Sequence, residues 1–233
     1  TIGFSMLRFN DFVDLEEGVN DPAKLKAIFL AGGPGSGKSY VTKKTMGGLG
    51  FKMVNSDDLF EKGMKEHGLD PTMPEHETAE RDVVRAKAKD LTNKRQKLYQ
   101  QGKLGMVIDG TGKDAAKIKA QSEALRNQGY DTHMVFVNTS LPVAQQRNME
   151  RERSLPSHHV ERMWNQVQDN IGHFQHHFGN ENMHIVDNNN ASEDLLHGVH
   201  KTIRKIATGP VKNRVGQQWI KSQQPGEVPQ KTT

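Results

Sequence analysis

Cysteine is missing from all 233 residues. That absence excludes disulfides, a thiol nucleophile and any metal site built on thiolates. Apolar residues are scarce at 33%, and no run of them approaches the ~18 that a membrane-spanning helix needs. A membrane span is therefore excluded. The opening residues Thr1-Ile2-Gly3-Phe4-Ser5-Met6 lack the basic stretch and apolar core of a secretory signal, so the expected compartment is the cytoplasm. Long internal repeats and low-complexity tracts are absent too. What remains is a chain long enough for one well-cored α/β domain with extra residues at its ends.

The formal net charge of +4 is unevenly spread. Beyond Asp194 stand Lys201, Arg204, Lys205, Lys212, Arg214, Lys221 and Lys231 against Glu227 alone, so that end carries +6. Such an end is either an electrostatic footprint for nucleic acid or a solvated, solubilising tail.

The most informative run is Gly32-Gly33-Pro34-Gly35-Ser36-Gly37-Lys38-Ser39, directly behind the apolar stretch 27–31. It fits G-x-x-x-x-G-K-[ST], whose parts each have a mechanical job. Glycines let the backbone curl so that successive N–H groups converge on a polyphosphate, and the following helix adds the positive end of its dipole. Lys38 reaches the β/γ-phosphates, and the Ser39 hydroxyl ligates Mg²⁺. The chain is expected to bind ATP with Mg²⁺ on Gly33, Pro34, Gly35, Ser36, Gly37, Lys38, Ser39 and Tyr40.

Apolar, β-rich runs alternate with helical patterns, the signature of a parallel sheet with helices on both faces. Five strands are expected at 27–31, 51–55, 105–109, 132–138 and 183–186. Helices are expected at 38–49, 75–101, 114–128, from Pro142 through Arg147, Arg151 and Arg153, at 160–178 and at 191–207. Residues 1–24 read as an acidic leader and 25–208 as the domain that carries the phosphate loop, with a helical lid around 147–160. Residues 209–233 read as a basic, extended or flexible tail.

In an open α/β sheet, ligands gather at the carboxyl ends of the strands. Asp57 follows the second strand, where a carboxylate is placed to accept a proton from a hydroxyl attacking the γ-phosphate. Ser56 and Asp57 are equally good residues for capping the next helix. Asp109 ends the third strand and is expected to hold the Mg²⁺ shell through water. Arg147 and Arg151, four apart, share a helix face ahead of the Leu155-Pro156 break. They form either a lid over the phosphates or a solvated helix paired with Glu150 and Glu152. His158, His159, His173, His176 and His177 lack the accompanying spacing of a metal site and read as helix surface.

Taken together, these features resemble the zeta-toxin and polynucleotide-kinase group of P-loop kinases, over about residues 27–187. Within it the chain is most similar to the kinase portion of bacteriophage polynucleotide 5′-kinases. The motifs that carry the resemblance are the phosphate loop, Asn55 ahead of Asp57-Asp58, and Arg147-Asn148-Met149-Glu150-Arg151 followed by Leu155-Pro156. The resemblance implies Asp57 as base, Lys38 and Ser39 on nucleotide and metal, and Arg147 and Arg151 as lid arginines. It implies a hydroxyl acceptor on nucleic acid or a nucleotide: a 5′-hydroxyl polynucleotide or a hydroxymethylated base in DNA. Asp58, Phe60, Thr111 and Arg153 are the acceptor-side candidates. Phe60 stands where polynucleotide kinases carry an acceptor-binding arginine, and an aromatic there is suited to stacking on a base. UDP-amino-sugar or small-metabolite kinases, and a nucleotide-dependent ATPase switch, are the alternatives.

Overall fold

The computed structural model describes residues 18, 20–70, 74–151 and 154–223. Five strands, β1 (Lys26–Ala31), β2 (Lys52–Val54), β3 (Met106–Asp109), β4 (Asp131–Asn138) and β5 (Met183–Asp187), form one sheet. Its order is β2-β3-β1-β4-β5, and every pairing is parallel. β1 is central and buried at all six positions. This explains its unbroken apolar sequence, since a strand covered on both faces has no reason to alternate. The α/β class and five-stranded parallel sheet read from the sequence are those of the molecule.

Nine α-helices are present among the described residues: α1 (Lys38–Thr45), α2 (Asp57–Glu66), α3 (Thr78–Gln101), α4 (Ala115–Asn127), α5 (Leu141–Met149), α6 (Ser157–Asp169), α7 (Ile171–Phe178), α8 (Glu193–Thr208) and α9 (Arg214–Gln223). Side chains from the two faces of β1 enter different cores. Phe29, at 1% exposure, joins Ile118 of α4, Val167 of α6, and Phe174 and Phe178 of α7. Ile28 and Leu30 join Val41 of α1 and Val199, Ile203 and Ile206 of α8. Each such buried side chain contributes roughly 1.5–3 kcal/mol. A smaller cluster, Phe60, Met64, Leu69, Val84 and Ala88, fastens α2 to α3.

Three sequence expectations need correction. The single helix over 160–178 is two, α6 and α7, divided at Asn170, whose amide donates to Gly112 O at 2.9 Å. Arg151 does not share a helix face with Arg147: α5 ends at Met149, and Arg151 lies in the bend beyond it. Residues 214–223 of the expected flexible tail form α9, with Trp219, Ile220 and Val211 packed on the core. The cause is Asp131 at the start of β4. Its carboxylate accepts from Lys26 Nζ at 2.7 Å and from the Lys212 and Asn213 amides, each at 2.8 Å. Asn213 in turn accepts from Val215 N at 2.9 Å, starting the helix, and donates to Arg126 O at 2.8 Å.

Residues 1–17 and 19 of the expected leader, Arg153, and positions 224–233 lie outside the described residues. Among the described residues, no helix is long and apolar enough to cross a membrane.

Candidate active site

The phosphate loop starts where β1 ends, and Gly32 N–H ties it to Thr111 O at 3.1 Å. Gly35 and Gly37 hold φ of +75° and +82°, in the left-handed region that favours glycine. Space demands glycine as well. A Cβ on Gly35 would strike the Ala144 carbonyl oxygen of α5, and one on Gly37 the Asn188 amide. α1 then begins at Lys38 with no side-chain cap on its first turn, where unpaired amides suit an anion.

The walls of the loop come from three later segments. Asn188, just past β5, donates to Ser36 O at 2.8 Å. Arg147 of α5 donates through Nη2 to Asn189 O at 3.0 Å, which brings its other end beside Gly37. Trp164 of α6 donates to Thr139 O at 2.8 Å and backs onto Gly33. Four buried polar atoms bordering the loop nevertheless lack partners: Ser36 Oγ, Thr139 Oγ1, Arg147 Nη1 and Asn188 Oδ1. A buried polar atom left unpaired costs about 1–3 kcal/mol, and such atoms mark where a polar ligand would complete the bonding.

Lys38 Nζ donates to Gly32 O at 2.7 Å. Burial draws the lysine below its usual pKa, opposed by Asp109 and Asp57 and reinforced by Arg151. Asp109 is raised above the usual carboxylate range, first by burial and then by Asp57 and Asp58, with Lys38 opposing. Asp57, Asp58, Asp109, Lys38 and Arg151 therefore share one electrostatic neighbourhood, although they come from four separate segments.

Asn55 joins two of these groups. Its amide donates to Asp109 Oδ2 at 3.0 Å while its carbonyl oxygen accepts from Asp57 N–H at 2.7 Å. The head of α2 is thereby clamped to the end of β3. Asp57 is the first residue of α2 and exposed, and Ser56 makes no side-chain cap. Asp58 follows it, also exposed. In the sequence Asn55 stood out only through the family resemblance, because nothing local ties a β2 amide to a β3 acid.

Phe60 is not an acceptor contact. It is 2% exposed inside the α2–α3 cluster, with the Arg85 guanidinium 4.1 Å over its ring. Its position four residues into an amphipathic helix turns it to the core. Tyr40 is 47% exposed on α1, and Pro34 is half-buried. Past α5, Asn148 donates to Leu155 O at 2.8 Å and accepts from Leu155 N at 3.0 Å. Of the histidines, His177 is partly buried against Ser122. Among the described residues, no group of three or more metal-type side chains converges.

Beside Asp109 runs a trench of about 400 Å³ between α3 and α4. Lys89, Asn93 and Gln96 line it from α3, at helical spacing; Lys113, Lys117 and Gln121 line it from the α4 side. Ser56, Asp109 and Thr111 form its inner end. Sequence reasoning missed these lysines because, taken singly, each is an ordinary exposed helix residue.

Glycine curvature, unpaired donors and the Lys38–Asp109 neighbourhood fit a triphosphate with Mg²⁺. The loop amides, Lys38 and Arg147 would hold phosphate oxygens; Ser39 and Asp109 would face the metal.

Fold and loop together define the class: this is the architecture of the P-loop kinases. The chain belongs to the AAA domain family, whose model matches residues 28–172 and so includes the loop, the Asn55 clamp, the trench and α5. Its fold is similar to a candidate kinase from Chloroflexus aurantiacus (TM-score 0.56, 13% identity, covering 77% of this chain and 97% of that one). It is also similar to a chain of the PezAT chromosomal toxin–antitoxin system of Streptococcus pneumoniae (TM-score 0.51, 16% identity, covering 87% and 90%). A chain of the Pnkp1/Rnl/Hen1 RNA repair complex aligns with TM-score 0.50 and 16% identity, over 64% of this chain and 46% of that one. At such identities the likeness is one of fold. No curated protein matches the chain.

Proposed function

We propose that this chain is a Mg²⁺- and ATP-dependent kinase that transfers the γ-phosphate to a hydroxyl on a nucleic acid or nucleotide acceptor. The observation that carries this reading is the Asn55 clamp, which fixes the head of α2, and Asp57 with it, to Asp109 beside the phosphate loop. Asp57 takes the proton from the acceptor hydroxyl as its oxygen bonds to the γ-phosphorus, the β–γ bridging P–O bond breaks and ADP leaves. Lys38 and Arg147 offset charge on the phosphate oxygens, and Arg151 adds to that field from the lid. Bound Mg²⁺ supplies further neutralisation of the β- and γ-phosphate charge.

The trench supports an acceptor that carries phosphate. Lys89, Lys113 and Lys117 line it against the carboxylates of Asp109 and Asp114. The α3 stretch from Lys89 to Gln96 covers roughly 10 Å, the size of one nucleotide unit or one sugar nucleotide. That size also favours a second reading, a UDP-amino-sugar or small-metabolite kinase. The resemblance to phage polynucleotide 5′-kinases, with hydroxymethylated bases as the related acceptors, supports the first.

A labelled-ATP transfer screen separates them. Single-stranded and duplex DNA with 5′-hydroxyl ends or hydroxymethylated bases, RNA, mononucleotides and UDP-sugars are offered in parallel. Label on a nucleic acid or nucleotide is the expected result. Label on UDP-sugars alone selects the second reading. ATP turnover that no acceptor stimulates would replace both with an ATPase switch.

A further inference from the structure

At the opposite end of the sheet, beneath the amino ends of β1, β4 and β5, lies a cavity of about 820 Å³. α8 and the 209–213 segment wall it on one side. Its floor holds two histidines on neighbouring strands, His133 of β4 and His184 of β5, with stacked rings 6.2 Å apart. Both sit in line with Val135, Val137 and Val186, on the sheet face that is otherwise apolar. Each has a buried ring nitrogen without a partner, His133 Nδ1 and His184 Nε2. They are the only such side-chain atoms among the described residues that do not border the phosphate loop.

The charges around them do not balance. The Asp131 carboxylate is saturated by Lys26 and two amides, and the Lys26 ammonium is itself closed by Pro210 O at 2.8 Å. Glu181 faces Lys212 at 3.6 Å. Arg126 donates to Thr132 Oγ1 and to His177 O, and the carboxylate whose field reaches it, that of Glu123, is not among the residues lining the cavity. Lys205, exposed on α8, makes no ion pair within 4 Å among the described residues, and its field acts on His184. Two cations and two imidazoles thus face one cavity with no free anion among them.

We propose that this cavity is a second phosphate-binding site, which takes the phosphate group of a small molecule on Lys205, Arg126 and the His133 and His184 rings. It is independent of the phosphotransfer reading. Along β4, at about 3.3 Å per residue, His133 lies roughly 20 Å from Thr139 at the phosphate loop, and along β5 His184 lies roughly 13 Å from Asn188. A phosphate offers oxygen acceptors to imidazole N–H groups and a double negative charge to the two cations. A metal would need a third ligand, and the remaining carboxylate beside His133, that of Asp131, is already engaged.

The test is a titration of the full chain followed through its histidine ring ¹H–¹⁵N signals, with His133→Gln and His184→Gln assigning the two resonances. Inorganic phosphate and AMP are the probes, in a buffer without other multivalent anions. Saturable movement of both signals in the millimolar range is expected. Response to both probes identifies the phosphate group itself as the ligand; response to AMP alone assigns the site to a nucleotide. Lys205→Ala, an exposed change that leaves the core intact, should weaken binding about tenfold or more, the loss of one charge-assisted hydrogen bond. Signals that stay still with both probes, or move equally in Lys205→Ala, overturn the proposal.

Discussion

The carboxyl and amino ends of this sheet treat buried polarity in opposite ways. At the carboxyl end, Ser36, Thr139, Arg147 and Asn188 leave atoms unpaired around a glycine loop. At the amino end, Asp131 and Lys26 are satisfied from every side and fix the C-terminal helix to the domain. Unpaired groups cost stability and are kept where a ligand completes them; paired ones secure the fold. The histidine pair beneath β4 and β5 is the exception at the amino end, which is why it invites a ligand.

The contrast is open to experiment. The largest effects belong to the carboxyl end. Lys38→Ala should remove phosphoryl transfer to every acceptor, by at least about 10³-fold. Asp57→Asn should retain ATP binding while losing about 10²–10⁴ in turnover. Melting temperatures near wild type are expected for both, and a large loss of stability would mean that these groups serve the fold after all.

Asp131→Asn reverses the pattern. The Lys26–Asp131 pair is almost wholly buried, with side chains 5% and 13% exposed. Breaking such a pair from one side costs about 3–5 kcal/mol. Chemical denaturation should record that loss while KM for ATP holds. A mild effect would remove Asp131 as the anchor of α9.

Asn55→Ala sharpens the boundary between the two behaviours, because the clamp is paired yet catalytically placed. Hydrogen bonds to a charged group are worth about 1.5–3 kcal/mol. We expect kcat to fall about 10–100-fold with KM for ATP unchanged; an equal rise in KM would make Asn55 part of the nucleotide site instead.

The remaining effect is one of pH. Burial, then His184 and the Lys26 and Lys212 cations, lower His133 from 6.5 to about 4, with Asp131 opposing. The unfolded chain therefore binds the proton first, so this stability is complete above pH 6.5 and lost progressively as the pH falls towards 4. In phosphate-free buffer, His133→Gln should flatten the fall in denaturation midpoint over that window. An unchanged slope would assign acid sensitivity elsewhere.

Much of the site was legible because its signals are local. Gly32 through Ser39 follow an apolar strand in one continuous run, and the strand order of chemistry places Asp57 and Asp109 at the same edge. Phe60 misled because its helical face, not its residue type, decides where it goes. The Lys89, Lys113 and Lys117 trench was invisible because its members come from two helices that only the sheet brings together. α9 was hidden because Trp219 and Ile220 are too few, among Gln and Lys, to make a periodic pattern without a core to meet.

By itself, then, the sequence determined a parallel α/β core and a phosphate loop, since periodicity and glycine spacing are properties of neighbours along the chain. The tertiary structure alone decided which polar groups are satisfied. Asn55 reaches Asp109, Asp131 closes on Lys212 and Asn213, and His133 meets His184, because hydrogen bonding and charge depend on distances between strands and helices far apart in the chain.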